Sequence, residues 1–559
     1  MSHIDPVTTE IIRSALTSAA NDMNATLIRS AYTPTIYEMK DCAVALLDEN
    51  HRVLGQSSGV PIFLGNLQVV TQHTEERFGR EVWKPGDVWI LNDSYIAGTH
   101  LNDVTVYGPV FASDDELIGF AACRAHVRDL GSARPGLLSN STEIYQEGLR
   151  LGATKLIEAG EPRTDVIEIL TKNSRYPRLL HGDLFAMIAC IREGQSTFDA
   201  VVQRHGLETF RAARDDFYAQ TERIERAVLA TMPDGVYEAE GVIDNDGVGD
   251  QPLRVHVRVE ITDDRMEIDL SGSDDMTRGP VNCGRAQAVS AARVAYKLLV
   301  DPDGPLTGGA FRSLAVTVRE GSLFAAQEPV PMSYYFTPLG ILIDLVVKAM
   351  AEVLPERVAA GSYGDSMTVL FGGVNPRTGQ KFSYSQPTVG GWGAWDGGDG
   401  QDAMINNTNG ALRDLNIEIM ESKFPIRVNK YRIRSDSGGA GQWRGGNGVE
   451  REFVFVGEEG YVNLWFDRSI NPAWGLEGGT SAQPPEVVIN PGTPTERRVL
   501  KVNSLPLQHG DIVNTRTGGG GGYGDPAKRS REALADDLRE GFLTHEGARK
   551  AYGAAAESA

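Results

Sequence analysis

Between residues 41 and 127 the chain offers short apolar runs set close together. "CAVALL" (Cys42–Leu47) precedes the turn-like "DENHR", and "DVWILND" (Asp87–Asp93) follows Pro85-Gly86. "VTVYGPVF" (Val104–Phe111) and "ELIGFAACRAHV" (Glu116–Val127) flank "ASDD". Runs spaced this closely predict antiparallel meanders. Polar side chains gather at their ends: Asp41, Asn92, Asp93, His100, Asp103 and His126. The same pattern that constrains the fold thus places titratable groups where strand ends meet.

Helical periodicity flanks this region. Asp5-Pro6 reads as an N-cap and first turn. Val7, Ile11, Ile12, Leu16, Ala19, Met23, Leu27 and Ala31 then form a stripe expected to face the core, ending by Thr33-Pro34. From about Asp165 to Met232 the pattern is helical again. Two periodic segments are expected in "LLHGDLFAMIACIREGQSTFDAVVQRHGLETF" and a third in "RAARDDFYAQTERIERAVLATM". Pro233-Asp234-Gly235 is a turn and a boundary.

Beyond it, "VYEAEGVID" and "LRVHVRVEITDDRMEIDLSGS" read as strands, "AQAVSAARVAYKLLV" and "LGILIDLVVKAMAEVL" as helices. Glycine-rich loops follow, then a charged helical tail from Pro526 to Tyr552. The expectation is a multi-lobed α+β protein with mixed and antiparallel sheets, helices packed on them, and a glycine-loop-rich C-terminal half containing strands. Three units are expected: residues 1–235 carrying the polar cluster, 236–525 rich in strands, and 526–559 as the tail.

A formal charge of −21 opposes general nucleic-acid binding, which needs a basic face. The four cysteines, Cys42, Cys123, Cys190 and Cys283, form no CxxC pair and read as buried thiols. The N-terminus lacks the basic and apolar regions of a signal peptide. The apolar stretch Leu339–Leu354 is interrupted by Asp344, Lys348 and Glu352, too polar for a membrane span. A cytoplasmic protein without membrane contact is expected.

Glycine-rich loops raise the question of phosphate. No Gly-Lys dipeptide occurs, so no Walker loop is present. "TGGGGGYGDP" reads as a close-packed loop that tolerates positive φ. Gly55-Gln56-Ser57-Ser58-Gly59 matches GxSxG, but Pro61 follows where a nucleophile elbow needs a helix.

Ten histidines occur. His51 sits in a polar turn, His73, His205 and His545 in charged helical segments, His256 in an alternating strand; all read as surface or structural. His181 and His509 read neither way. His100 and His126 differ, because each ends or leaves an apolar run with an acid nearby. With Asp41 they offer two imidazoles and one or two carboxylates, a set suited to zinc, manganese or iron(II).

At this point the residues resemble a known family. "NDSYIAGTHLNDVTVYGPVF", "EIYQEGLRL", "GDLFAMIAC", "FPIRVNKYRIRSDSGGAGQWRGGNGVERE", "GGGGYGDP" and the tail "ARKAYG" together resemble the hydantoinase B/oxoprolinase family. The matches spread from Asp41 to Gly553. The resemblance implies one subunit of an ATP-dependent enzyme that opens cyclic amides such as hydantoins, lactams or oxoproline. A separate hydantoinase A-type subunit would bind ATP-Mg and phosphorylate the amide oxygen; a divalent metal here would activate water to attack. The two would assemble as a heterotetramer. The resemblance further implies Asp41, His100, Asp103 and His126 as metal ligands, Asp41 alternatively as general base, and Asn92 and Asp93 as organisers of the loop. Glu147 is a further pocket candidate. The family also contains subunits of acetone and acetophenone carboxylases, so a ketone carboxylase is the alternative. Two departures stand out: Phe63 where many relatives carry histidine, and Ala97 in place of the first glycine of GGTH.

Overall fold

The computed structural model describes residues 4–112 and 116–553. Its first sheet has seven strands: β1 (Cys42–Asp48), β2 (Val53–Gln56), β3 (Val88–Leu91), β4 (Asp103–Phe111), β5 (Leu117–His126), β6 (Thr154–Glu158) and β7 (Glu161–Pro162). Their spatial order is β2-β1-β5-β4-β3-β6-β7, with every pairing antiparallel. The order is not that of a simple meander. β1 lies beside β5, which brings the start of β1 next to the end of β5. Most of the "ASDD" turn lies outside the described residues.

Both faces of this sheet are covered. Along β1, Ala43, Ala45 and Leu47 enter one apolar cluster, while Cys42, Val44 and Leu46 enter another. This is the two-residue period of a strand buried on both sides. The second face is covered by the helix Pro6–Ser30, capped by Asp5, and by the helix Pro177–His205. In the first, Thr9, Ile12, Leu16, Ala19, Met23 and Leu27 are buried, but Val7 and Ile11 are exposed. The stripe read from sequence therefore turns off the core at its N-terminal end. The two periodic segments expected after residue 178 are one helix of 29 residues; a second helix, Leu207–Leu229, begins only after Gly206.

The other face packs on the C-terminal half. Its apolar cluster runs from Ala43 to Trp474 and so crosses the boundary expected at residue 235. It includes the helices Arg285–Val300 and Phe336–Ala349 and a four-stranded sheet of Gly235–Ile243, Leu253–Thr262, Arg265–Asp269 and Leu314–Thr317. The last two of these strands are parallel, so the fold is mixed α+β. Two further sheets, of four and five strands, are antiparallel and lie between Thr368 and Arg516. The tail forms the short helices Arg531–Glu540 and His545–Tyr552, packed with Ala440. All four cysteines are free and buried. No helix among the described residues is long and apolar enough to cross a membrane.

The run Gly518–Gly522 is the centre of a lattice of backbone. Gly520, Gly521 and Gly522 donate to the carbonyls of Gly446, Gly361 and Thr480 at 2.8–3.0 Å. The carbonyls of Gly518, Gly520, Gly521 and Gly522 accept from Gly391, Gly439, Ala394 and Leu476. A sheet strand has two neighbours; this segment bonds to segments all around it. The close packing expected of this loop is present, and positive φ occurs in it at Gly524 but at none of Gly518–Gly522. Glycine stands here because a Cβ on Gly519, Gly520, Gly521 or Gly522 would overlap a neighbouring carbonyl.

Candidate functional site

The loop before β4 is built by local capping. Asp93 accepts from Tyr95 N–H at 3.0 Å and starts the single turn Ser94–Ala97. Gly98, in the left-handed region at φ 83°, ends it; a side chain there would strike Gln287. The Asp103 amide then donates to the His100 carbonyl at 3.1 Å, so the H-x-x-D stretch is a tight turn. Asn92 ties the turn down, donating to the Leu101 and Leu149 carbonyls and accepting from Leu151 N–H. Asn102 exchanges two hydrogen bonds of 2.8 Å with Val127. Register does the rest: Asp103 lies directly opposite His126 in the β4–β5 pair.

His100, Asp103 and His126 come together as a result. One ligand atom from each lies within 4.8 Å of the others. His126 Nδ1 shares a 3.1 Å hydrogen bond with Asp103 Oδ1. His100 Nδ1 lies 3.2 Å from Asp103 Oδ2 but forms no hydrogen bond, and it is buried. A buried imidazole nitrogen without a partner, between a carboxylate and a second imidazole, fits a metal ligand. Two histidines and one carboxylate suit zinc, manganese or iron(II).

Asp41 lines the same cleft but stands outside this 4.8 Å set. The trio is therefore three of the four residues carried over from the resemblance. Burial raises Asp41 to a pKa of about 7, with His126 opposing and Asp103 reinforcing the rise. Burial pushes His100 down to about 4, against the pull of Asp103. For Asp103 burial opposes ionisation, yet His100, His126 and Tyr335 outweigh it and hold the carboxyl below its ordinary value. His126 is raised: burial disfavours its charge, but Asp103 and Asp41 prevail.

Glu147 is elsewhere. Its buried carboxylate accepts from Ser141 Oγ at 2.7 Å and from the amides of Met332 and Ser333 at 3.0 and 2.9 Å. Those bonds occupy it, and it is not on the cleft wall. What it does is fix the segment that carries Tyr335, whose hydroxyl donates to Asp103 Oδ2 at 2.9 Å. Tyr335 is not visible from sequence, because it comes from the other half of the chain, ahead of an apolar helix. Arg124 carries a readable signal, an arginine inside an apolar strand. It is fully buried on the same face of β5 as His126, donating to Thr105 Oγ1 at 2.8 Å and Asn66 Oδ1 at 2.6 Å. Its side chain lies over Phe63, which lines the cleft. Asn66 in turn donates to the carbonyl of Ala97, so both departures from the family pattern sit within this network. The GxSxG serine does not resemble a nucleophile; Ser57 Oγ accepts from Asn24 and donates to the Ser58 carbonyl. His51 is buried rather than exposed, stacked on Phe120, because its turn folds back against the sheet.

Residues 5–526 match the Hydantoinase B/oxoprolinase family. The chain belongs to that family. It is 30% identical to the caprolactamase subunit beta of Pseudomonas jessenii, over 99% of this chain and 96% of that one. It is also 30% identical to an uncharacterised protein of Methanocaldococcus jannaschii, over 98% and 96%. The crystal structure of the ATP-dependent caprolactamase from Pseudomonas jessenii superposes with a TM-score of 0.91 at 28% identity, covering 100% of this chain and 99% of that one. A nucleotide-free acetone carboxylase shares the fold, with a TM-score of 0.87 at 20% identity over 98% and 79%.

Proposed function

We propose that this chain is the B-type subunit of an ATP-dependent hydrolase that opens a cyclic amide: a hydantoin, a lactam or an oxoproline-like ring. The observation that carries the reading is the His100–Asp103–His126 trio, with an unpartnered imidazole nitrogen, on the wall of a cleft. That the Pseudomonas jessenii relative is named a caprolactamase subunit supports the hydrolase.

His100, Asp103 and His126 would hold a divalent ion, which would supply Lewis acidity and lower the pKa of a bound water toward neutrality. Tyr335 and His126 fix the two oxygens of the Asp103 carboxylate, one each, so the carboxylate cannot rotate away. Asp41, beside the trio on the cleft wall, takes the proton from the attacking water and returns it to the ring nitrogen that leaves. Val60, Ile62, Phe63 and Leu137 give the cleft an apolar wall that excludes bulk water from the ring. An amide carbonyl is a poor electrophile, so phosphorylation of its oxygen falls to an A-type partner subunit that binds ATP-Mg, in a heterotetramer; addition of water and cleavage of the C–N bond then leave an acyl phosphate, which a second water hydrolyses to the carboxylate and inorganic phosphate.

Co-expression with the A-type subunit tests this. ATP-dependent turnover of lactams or hydantoins without bicarbonate is the expected result; an absolute requirement for bicarbonate would overturn hydrolysis in favour of ketone carboxylation.

A further inference from the structure

Two residues past His126, Arg128 lines the same cleft. Its guanidinium makes no hydrogen bond and no ion pair with any described residue. The acids around it are taken. Asp129 is held by the Arg175 side chain at 2.7 Å and by the Arg175 amide at 2.6 Å. Asp183 accepts from Tyr32 N–H, Thr33 N–H and Thr33 Oγ1 at 2.7–3.1 Å. What Arg128 does have is two aromatic rings: Tyr176 at 5.4 Å and Phe424 at 5.5 Å. The Tyr176 hydroxyl is itself buried without a partner.

An arginine fork presents five donors, and at Arg128 no described residue accepts from them, so they are left to solvent or to a ligand in the cleft. Aromatic rings hold the plane of a guanidinium but do not satisfy its N–H groups. The other polar groups on the cleft wall, among them Ser383, Ser385 and Thr368, are neutral, and of its two acids Asp103 is held by His126 and Tyr335 while neither Asp41 nor Asp103 forms an ion pair with Arg128. The cleft thus carries, besides its metal-ligand set, a cation that no described acid uses.

We infer that Arg128 is the oxyanion anchor of this cleft, binding a carboxylate or phosphoryl group of the substrate while the amide carbon lies at the trio. This rests on the proposed cyclic amide reaction and names its substrate class: a ring that carries a negative group when it reaches this subunit. The shared chemistry has two sources. The group is either a carboxylate that belongs to the ring or the phosphoryl group placed on the amide oxygen by the partner. Planar, bidentate recognition suits both.

The test is direct binding to the full chain, independent of turnover. Calorimetric titrations use inorganic phosphate in one arm and acetate in the other. Saturation by either at one site per chain is expected, and the preferred anion identifies the source. Arg128→Met should weaken that binding about tenfold or more, the loss of a charged hydrogen-bond pair. Arg128→Lys, which keeps the charge and loses the fork, should fall between. Because Arg128 makes no hydrogen bond or ion pair with a described residue and only its two aromatic contacts are at stake, both variants should keep the fold and lower the melting temperature only slightly. Absence of saturable binding by either anion, or wild-type affinity in both variants, overturns the proposal. These binding outcomes stand whether or not the assembled enzyme hydrolyses lactams, so failure here and failure of the hydrolase reading are separately visible.

Discussion

The polar turn at His100 and the glycine run at 518–522 are both buried, and they are built on opposite terms. Around His100 side chains hold the backbone in place: Asp93 caps, Asn92 and Asn102 clamp, Asp103 and His126 pair across strands. In the glycine lattice side chains are excluded, and peptide groups bond to peptide groups on several sides. The first region gains its order from hydrogen-bonding groups of specific shape. The second gains it from close approach of backbones, which a Cβ at any of residues 519–522 would prevent. One tolerates substitution as a loss of function, the other as a loss of packing.

The largest expected effect breaks the lattice. In Gly520→Ala the new methyl would collide with the carbonyl of Trp392, a backbone atom that cannot swing away. Destabilisation of about 3 kcal/mol or more, or failure to fold, should be seen by thermal denaturation. A melting curve like that of the wild type would show that the lattice yields.

Next comes the site. His100→Ala should abolish bound divalent metal, measured by elemental analysis, and lactam turnover with the partner subunit, while the fold persists by circular dichroism. Full activity in that variant would remove the trio from the reaction. Tyr335→Phe should be milder. Loss of one hydrogen bond to a ligating carboxylate should weaken metal affinity by roughly 10–100-fold, read by competition with a chelator, with the melting temperature little changed.

Gly518→Ala sharpens the comparison from within the glycine run. There a Cβ would meet Gln483 O no closer than 3.5 Å, and φ is not in the left-handed region. The replacement should be neutral or stabilising by about 0.4–1 kcal/mol through the unfolded chain. A collapse as large as that of Gly520→Ala would mean that the run is intolerant as a whole, not position by position. Smallest of all, Val7→Ser and Ile11→Ser, on the exposed start of the first helix, should change stability by less than about 0.5 kcal/mol.

Much of the molecule is legible in its sequence, and the reason differs by region. The strands β1, β4 and β5 and the helix Pro6–Ser30 can be read because local periodicity and capping decide them. The single helix Pro177–His205 reads as two because nothing local says whether a weak point in a periodic run becomes a break. In the site, His100 and Asp103 are readable as a pair three residues apart, and His126 as a strand end. Tyr335 and the true task of Glu147 are not. Both depend on contacts between residues more than 180 positions apart.

By itself the sequence determined most element types, the family and the chemical kinds of group near the site. It did so because residue type, short-range spacing and turn chemistry are local properties. Tertiary structure alone decided that β1 lies beside β5, which puts Asp41 at the cleft without placing it among the three ligands. It alone bonded the glycine run to backbone on several sides and left Arg128 without an ion pair among the described residues on the wall of the same cleft. Those outcomes depend on which distant segments approach one another, and no short window of residues carries that information.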